Sequence, residues 1–115
     1  MPKRDDDLLI SDMIECCVNI FEYTNGMNSN NFINDRKTVD AVIRNFEVLS
    51  EACKKVSEDL RSTNTFIEWK KVSDFRNILV HQYFGINYEI MWKIIEEYLP
   101  QQYEYLKQLA AKFSE

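Results

Sequence analysis

The sequence predicts an all-α protein, an antiparallel up-and-down bundle of four long helices plus a short one. Two observations favour this fold class. Only two glycines and two prolines occur in 115 residues, which leaves little material for hairpins or long loops. Apolar residues also recur three and four positions apart over long segments, as in helices with one buried face. A chain of this size holds one core, so residues 1–115 are expected to form a single domain.

The first helix is expected to begin near residues 5–7, because the acidic side chains there suit the positive end of a helix dipole. Asn25-Gly26 should end it. Its predicted buried face is spaced like a helical stripe and comprises Ile10, Met13, Ile14, Cys17, Ile20, Phe21 and Thr24. Residues 27–34 are polar and are expected to form a connection or a short helical turn.

A second helix, the longest, is predicted from a cap at Asn34 or Asp35 to about Arg61. Its core positions again lie three or four apart: Val39, Val42, Ile43, Phe46, Leu49, Cys53, Val56 and Leu60. The charged residues between them are interpreted as a solvated face.

A third helix is predicted to start at Thr65, because Thr65 and Glu68 have the spacing of a capping box. Ser73 and Asp74 are good cap residues as well, so a kink is expected between residues 69 and 73. Downstream, the predicted buried face consists of Val72, Phe75, Ile78, Leu79 and Gln82.

After Gly85, Asn87 is expected to cap a further helix. Ile90, Ile94 and Tyr98 are predicted to point inward, with Met91, Trp92 and Ile95 beside them. Leu99-Pro100 should break this helix, since proline is tolerated only at a first turn. A last helix then carries Tyr103, Leu106, Leu109, Ala110 and Phe113.

Composition limits the classes of function. A net charge of −5 argues against general coating of nucleic acid, so any such contact must be local, at Arg76 and also Lys70 and Lys71. Cys16, Cys17 and Cys53 show no metal-ligand or disulfide spacing, and are expected to be buried thiols. We therefore expect no metal and no cofactor. The charged N-terminal residues are not expected to act as a signal peptide, and no apolar stretch reaches membrane-spanning length, which predicts a cytoplasmic protein without membrane contact.

The segment 74–85 contains the only histidine, together with an arginine, an asparagine and a tyrosine. On an ideal helix Arg76 and Tyr83 share one stripe, and Asn77 and His81 share another. Arg76 and His81 lie about 140° apart. Their side chains can therefore meet if the arginine wraps around the helix, if the last turn unwinds at Gly85, or if a second copy of the helix faces the first.

Residue types alone leave several interpretations open. A lone histidine on a helix is more often structural than catalytic, and a tyrosine such as Tyr83 is often a half-buried aromatic. The aromatic set Tyr83, Phe84, Tyr88 and Trp92 could stack bases, although core or dimer interface is the commoner role. The carboxylates of Glu68 and Asp74 are better explained as helix caps than as ligands.

The spacing of Arg76, His81 and Tyr83 resembles the Arg-x4-His-x-Tyr motif of HepT-like proteins in the HEPN superfamily. Residues 35–45 resemble the opening of that family's second helix, and residues 66–72 resemble its approach to the motif. Tyr83-Phe84-Gly85 and the later Leu99-Pro100 resemble the segments that follow the motif. The resemblance covers roughly residues 5 to 112, and the motif is intact.

The resemblance implies an HEPN-like bundle that dimerises through its motif helices and acts as a metal-independent RNase toxin. Its antitoxin would be a cognate minimal nucleotidyltransferase that transfers AMP to the motif tyrosine. By position, Arg76 and His81 would be catalytic, Asn77 would support them, and Tyr83 would be modified. An alternative is a non-catalytic helical module that partners a nucleotidyltransferase or binds a nucleotide.

The chemistry of RNA cleavage adds a constraint to this interpretation. Without a metal, one group must take a proton from the 2′-hydroxyl and another must protonate the leaving oxygen. One histidine cannot easily do both, whereas two facing helices would supply a second. A homodimer with a composite cleft is therefore expected.

Overall fold

The computed structural model describes the backbone of residues 3–80 and 87–113, with all side chains in these ranges except those of residues 3, 4, 76 and 78–80. The helices, in chain order, are α1 (Lys3–Thr24), α2 (Ser29–Ile33), α3 (Arg36–Lys55), α4 (Glu58–Thr63), α5 (Trp69–Val80), α6 (Tyr88–Lys93), a π-helical turn (Ile94–Tyr98) and α7 (Leu99–Lys112). No strand occurs in the described ranges, and the all-α bundle is confirmed. The sequence predicted one short helix, whereas the described ranges contain three, α2, α4 and α6.

Helix α3 lies at the centre of the bundle and packs against both α1 and α5, while α7 packs against α1. The predicted faces of α1 and α3 are largely confirmed. Ile10, Met13, Cys17 and Ile20 of α1 are buried, and Ile14 and Phe21 are half-buried. On α3 the buried side chains include Val39, Val42, Phe46, Leu49 and Cys53. None of the described helices is long and apolar enough to cross a membrane.

The long second helix was predicted wrongly at its end. It stops at Lys55, Val56 is extended, and α4 begins after Ser57. The Ser57 side chain caps α4 by accepting from the Leu60 N–H at 3.2 Å. The Asp6 carboxylate of α1 accepts a hydrogen bond from the Ser57 backbone N–H at 2.9 Å. A contact from a helix distant in sequence therefore fixes the break between α3 and α4.

The predicted capping box at Thr65 and Glu68 does not form, because α5 begins only at Trp69. One local and one tertiary contact fix the turn before α5 instead. The Trp69 indole donates to the Asn64 carbonyl at 2.9 Å, and the Glu68 N–H donates to the Gln102 side chain at 3.1 Å. Helix α5 then runs without interruption through Ser73, where a kink was expected.

Asn87 caps α6 as predicted, accepting from the Ile90 N–H at 3.1 Å. The buried face of α6 was predicted wrongly, since Ile90 is 48% exposed and the buried residues are Met91, Trp92 and Ile95. Trp92 packs on Phe32 of α2, with ring centroids 5.3 Å apart, and this contact fixes the rotation of α6.

The break predicted at Leu99-Pro100 is replaced by the π-helical turn, in which the Leu99 N–H donates to the Ile94 carbonyl five residues earlier. In a regular α-helix the proline ring would clash with the carbonyl of residue 96. A wider turn before Pro100 relieves that clash, and the helix continues into α7.

Candidate functional site

The predicted site residues fall at and beyond the end of α5. The backbone of Arg76 and all of Asn77 belong to the last two turns of α5, and the Asn77 side chain is exposed. His81 and Tyr83 lie outside the described residues. The structure therefore places Arg76 and Asn77 next to one another on a helix, and it describes no contact among the four residues.

The opposite side of α5 anchors the helix in the core. Val72 and Phe75 are buried as predicted, whereas the Ile78 and Leu79 side chains and Gln82 lie outside the description. The Phe75 ring packs edge-on against two aromatic rings, with centroid distances of 5.4 Å to Phe46 and 5.8 Å to Tyr98. These contacts fix how α5 is rotated on the bundle, and that rotation leaves Asn77 facing solvent.

Polar contacts fix the position of α5 along its axis. The Ser50 hydroxyl of α3 donates to the Val72 carbonyl at 2.9 Å. The Cys53 thiol lies 3.4 Å from the Trp69 carbonyl, which also accepts from the Ser73 hydroxyl. Ser50 and Cys53 of α3 thus contact two carbonyls in the first half of α5. These contacts fix the position of this half of the helix, which precedes the motif.

A cleft of about 460 Å³ separates α4 from the first half of α5. Its lining residues are Glu58, Arg61, Ser62, Trp69, Lys70 and Ser73. Two cations against one carboxylate give it a net positive charge, although the whole chain carries −5. Arg61 was not identified as a site residue from the sequence. It was placed at the end of the predicted second helix, whose charged residues were interpreted as a solvated face.

A second cleft of about 510 Å³ borders the first half of α5 and is also lined by Lys70. Here Lys70 and Lys71 are balanced by Glu68 and Asp74. The Lys71 ammonium lies 4.6 Å from the centre of the Tyr98 ring. Burial raises the pKa of the Tyr98 phenol, and the neighbouring Glu68 carboxylate raises it further, so this phenol stays protonated.

A larger cleft of about 630 Å³ lies between the start of α2 and α6. Three of its lining residues are glutamates, at positions 89, 96 and 97, and Lys93 is the only lining cation. This charge repels phosphate, so the cleft is poorly suited to RNA.

The other sequence candidates belong mainly to the framework. Glu68 lies directly before α5, at the N-cap position, where its carbonyl accepts from the Val72 N–H at 3.0 Å. Asp74 lies inside the helix and does not cap it. Trp92 is core, Tyr88 is half-buried, and Phe84 lies outside the described residues. Within the described ranges, no group of three or more metal-ligating side chains occurs.

The three cysteines are free and buried, as predicted. Burial is the main cause that raises the pKa of each thiol, to about 11 for Cys16 and about 12 for Cys17. The neighbouring carboxylates of Asp12 and Glu15 add to the effect at Cys16. Protonated thiols are weak nucleophiles, so these residues are suited to packing.

Comparison with known families matches residues 13–109 to the family described as ribonuclease HepT-like. The chain belongs to this ribonuclease HepT-like family. The match includes the whole of α5 and the motif from Arg76 to Tyr83, so it covers the residues on which the sequence resemblance depends. No solved structure was found to match the chain.

Individual relatives cover most of this HepT-like chain. A protein of Methanocaldococcus jannaschii, named as a candidate RNase, is 41% identical over 100 residues, covering 87% of this chain and 83% of its own. A second protein of that organism, also named as a candidate RNase, is 38% identical over 100 residues, covering 87% and 92%. A protein of Thermococcus cleftensis, named as a candidate ribonuclease HepT, is 33% identical over 98 residues, covering 85% and 89%.

Proposed function

We propose that this HepT-like protein is a metal-independent endoribonuclease, the toxin of a toxin–antitoxin pair. The observation that carries the proposal is the intact motif of Arg76, His81 and Tyr83 inside a family match that spans residues 13–109. Candidate RNase names among relatives that cover most of the chain support the same class of substrate.

The proposed chemistry assigns one role to each motif residue. An imidazole has an unperturbed pKa of roughly 6.5, which suits proton transfer near neutral pH. His81 takes the proton from a ribose 2′-hydroxyl or returns one to the leaving 5′-oxygen. The Arg76 guanidinium binds the phosphate oxygens, where negative charge grows in the transition state. Asn77 supports them as a neighbouring hydrogen-bonding group. The products are a 5′-hydroxyl and a cyclic phosphate.

The fold supports this assignment through α5. Phe75 and Val72 anchor one side of the helix in the core, while the exposed Asn77 marks the side available to a ligand. A reacting group on a well-packed helix keeps its position, which is what catalysis by orientation needs.

The active unit in this proposal is a homodimer. Two facing motif helices bring two arginines and two histidines into one composite cleft. Such a cleft supplies an acid and a base at once, and it lets Arg76 of one protomer meet His81 of the other.

The proposed antitoxin is a minimal nucleotidyltransferase that attaches AMP to the Tyr83 hydroxyl. The phenol oxygen attacks the α-phosphorus of ATP, a new P–O bond forms, and pyrophosphate leaves with the phenolic proton released to solvent. The attached phosphate then occupies the arginine-lined cleft and blocks RNA by volume and by charge.

Cleavage of single-stranded RNA by the purified protein in EDTA tests the activity. Wild-type protein should cut, whereas Arg76→Ala and His81→Ala should each lose at least about a hundredfold in rate. The matched control is Arg44→Ala, which removes an exposed arginine from α3. Binding without cleavage by wild-type protein would favour the non-catalytic module, and activity in the His81→Ala variant would contradict the assignment.

A further inference from the structure

We propose that the cleft between α4 and α5 binds the RNA backbone through Arg61 and Lys70, outside the motif. This inference rests on the proposed ribonuclease function and adds a substrate-positioning site to it. The ligand is a phosphodiester of the same single-stranded RNA that the motif cuts.

The charges in this cleft are available to a ligand. Among the described residues no carboxylate lies within ion-pair distance of Arg61 or Lys70. The Nε of Arg61 is buried and has no hydrogen-bond partner among the described residues, so a ligand in the cleft would contact the terminal guanidinium nitrogens. The Lys71 ammonium, by contrast, makes a cation–π contact with the Tyr98 ring. Arg61 and Lys70 are therefore the cations of this region that remain for an anion.

Helical spacing connects the cleft with the motif. Ser73 lines the cleft, and Asn77 follows it by four residues, one turn further along the same side of α5. Lys70 precedes Asn77 by seven residues and lies within roughly 20° of it around the helix, whereas Arg76 is about 9 Å from Lys70 along the axis and about 120° around it. A nucleic-acid strand bound at the motif can reach Lys70 without leaving α5.

The electrostatics favour this cleft over the others. Glu58 is its one carboxylate, and its net charge is positive. The neighbouring cleft has no net charge, because Glu68 and Asp74 balance its two lysines. In an acidic protein a phosphate backbone follows the local positive potential, so the strand should enter on the α4 side of α5.

Binding can be measured with a single-stranded RNA whose 2′-hydroxyls are methylated, because it keeps the phosphates and lacks the attacking group. Fluorescence anisotropy in EDTA over a salt series gives the affinity and its salt dependence. The test variant carries Arg61→Gln with Lys70→Gln. The control carries Lys37→Gln with Arg44→Gln, which removes the same charge from exposed positions on α3.

We expect the test variant to bind about tenfold more weakly. The slope of log K against log salt should fall by roughly 0.7 for each lost phosphate contact. The control should stay within about twofold of wild type. Arg61→Lys, which keeps the charge, should retain most of the affinity. Equal affinities for the test and control variants would overturn the inference.

A dinucleotide substrate separates this site from the active site, because it is too short to span both. The test variant should cleave it with an unchanged kcat/KM, while its kcat/KM on a longer RNA falls about tenfold. Equal losses on both substrates would contradict a separate site.

Two further outcomes keep the result unambiguous. If the double variant fails to fold, the single variant Lys70→Gln, at an exposed position, is tested instead. Its affinity for the long RNA should fall about threefold, and an unchanged affinity would overturn the inference. If wild-type protein binds and cuts RNA while the variants match it, only this inference fails. If wild-type protein neither binds nor cuts, the proposed function fails with it.

Discussion

The buried carboxylate of Asp6 accepts two hydrogen bonds from Ser57, 51 positions later in the chain. One comes from the backbone N–H at 2.9 Å and the other from the hydroxyl at 2.6 Å. The same hydroxyl accepts from the Leu60 N–H and so caps α4. One carboxylate in the first turns of α1 thus sets the end of α3 and the start of α4.

Replacing Asp6 by alanine should therefore lower the free energy of unfolding. Hydrogen bonds to a charged group contribute roughly 1.5–3 kcal/mol, and we expect a loss of about 2 kcal/mol. Urea unfolding measures it. The matched control is Asp5→Ala, because Asp5 lies in the same turn of α1 and is exposed. Equal losses in both variants would show that the contact with Ser57 contributes nothing.

The cysteines of α1 should make stability depend on alkaline pH. Folding raises the pKa of Cys16 from 9.0 to about 11 and that of Cys17 from 9.0 to about 12. Above pH 9 the unfolded chain loses these protons while the folded chain keeps them, so stability falls as the pH rises toward 11.

A variant with Cys16→Ala and Cys17→Ala should show a shallower fall in stability. Between pH 9 and pH 11, the wild type should lose roughly 4 kcal/mol more than the variant, about 2 kcal/mol for each thiol. Urea unfolding at a series of pH values measures the difference, with each protein referred to its own value at pH 7. Parallel curves for the two proteins would contradict the pKa assignment.

Modification of Tyr83 gives a prediction that is independent of RNA cleavage. With the nucleotidyltransferase and ATP, intact-protein mass spectrometry should show the addition of one adenylyl group. Tyr83→Phe should abolish the addition and leave the RNase rate within about threefold of wild type, because the phenol takes no part in the proposed proton transfers. Tyr23→Phe, at an exposed tyrosine, should be modified normally. An adenylylated Tyr83→Phe protein would place the target elsewhere.

Local sequence pattern was sufficient wherever a helix is set by its own residues. The faces of α1 and α3 follow from apolar spacing, and the Asn87 cap follows from a polar residue before a helical run. The predictions were wrong where a residue distant in the sequence determines the local structure. Apolar spacing continues through Val56, so nothing local indicates that Asp6 ends the helix there.

Two other errors have the same origin. The Glu68 N–H is taken by Gln102 of α7, so the local capping box does not form. The rotation of α6 depends on the contact between Trp92 and Phe32. At the site, local pattern located Arg76 and Asn77 on a helix and missed Arg61, because only the fold brings α4 beside α5.

Subunit mixing tests the composite cleft most directly. Wild-type and His81→Ala chains are unfolded together in equal amounts and refolded so that they pair at random, and RNA cleavage is measured in EDTA. If each cleft needs both histidines, only wild-type dimers cut, and the rate should be ~25% of that of the same amount of wild-type protein. A rate of ~50% would mean that one histidine per dimer is enough for cleavage, and would contradict the requirement for two histidines in one cleft.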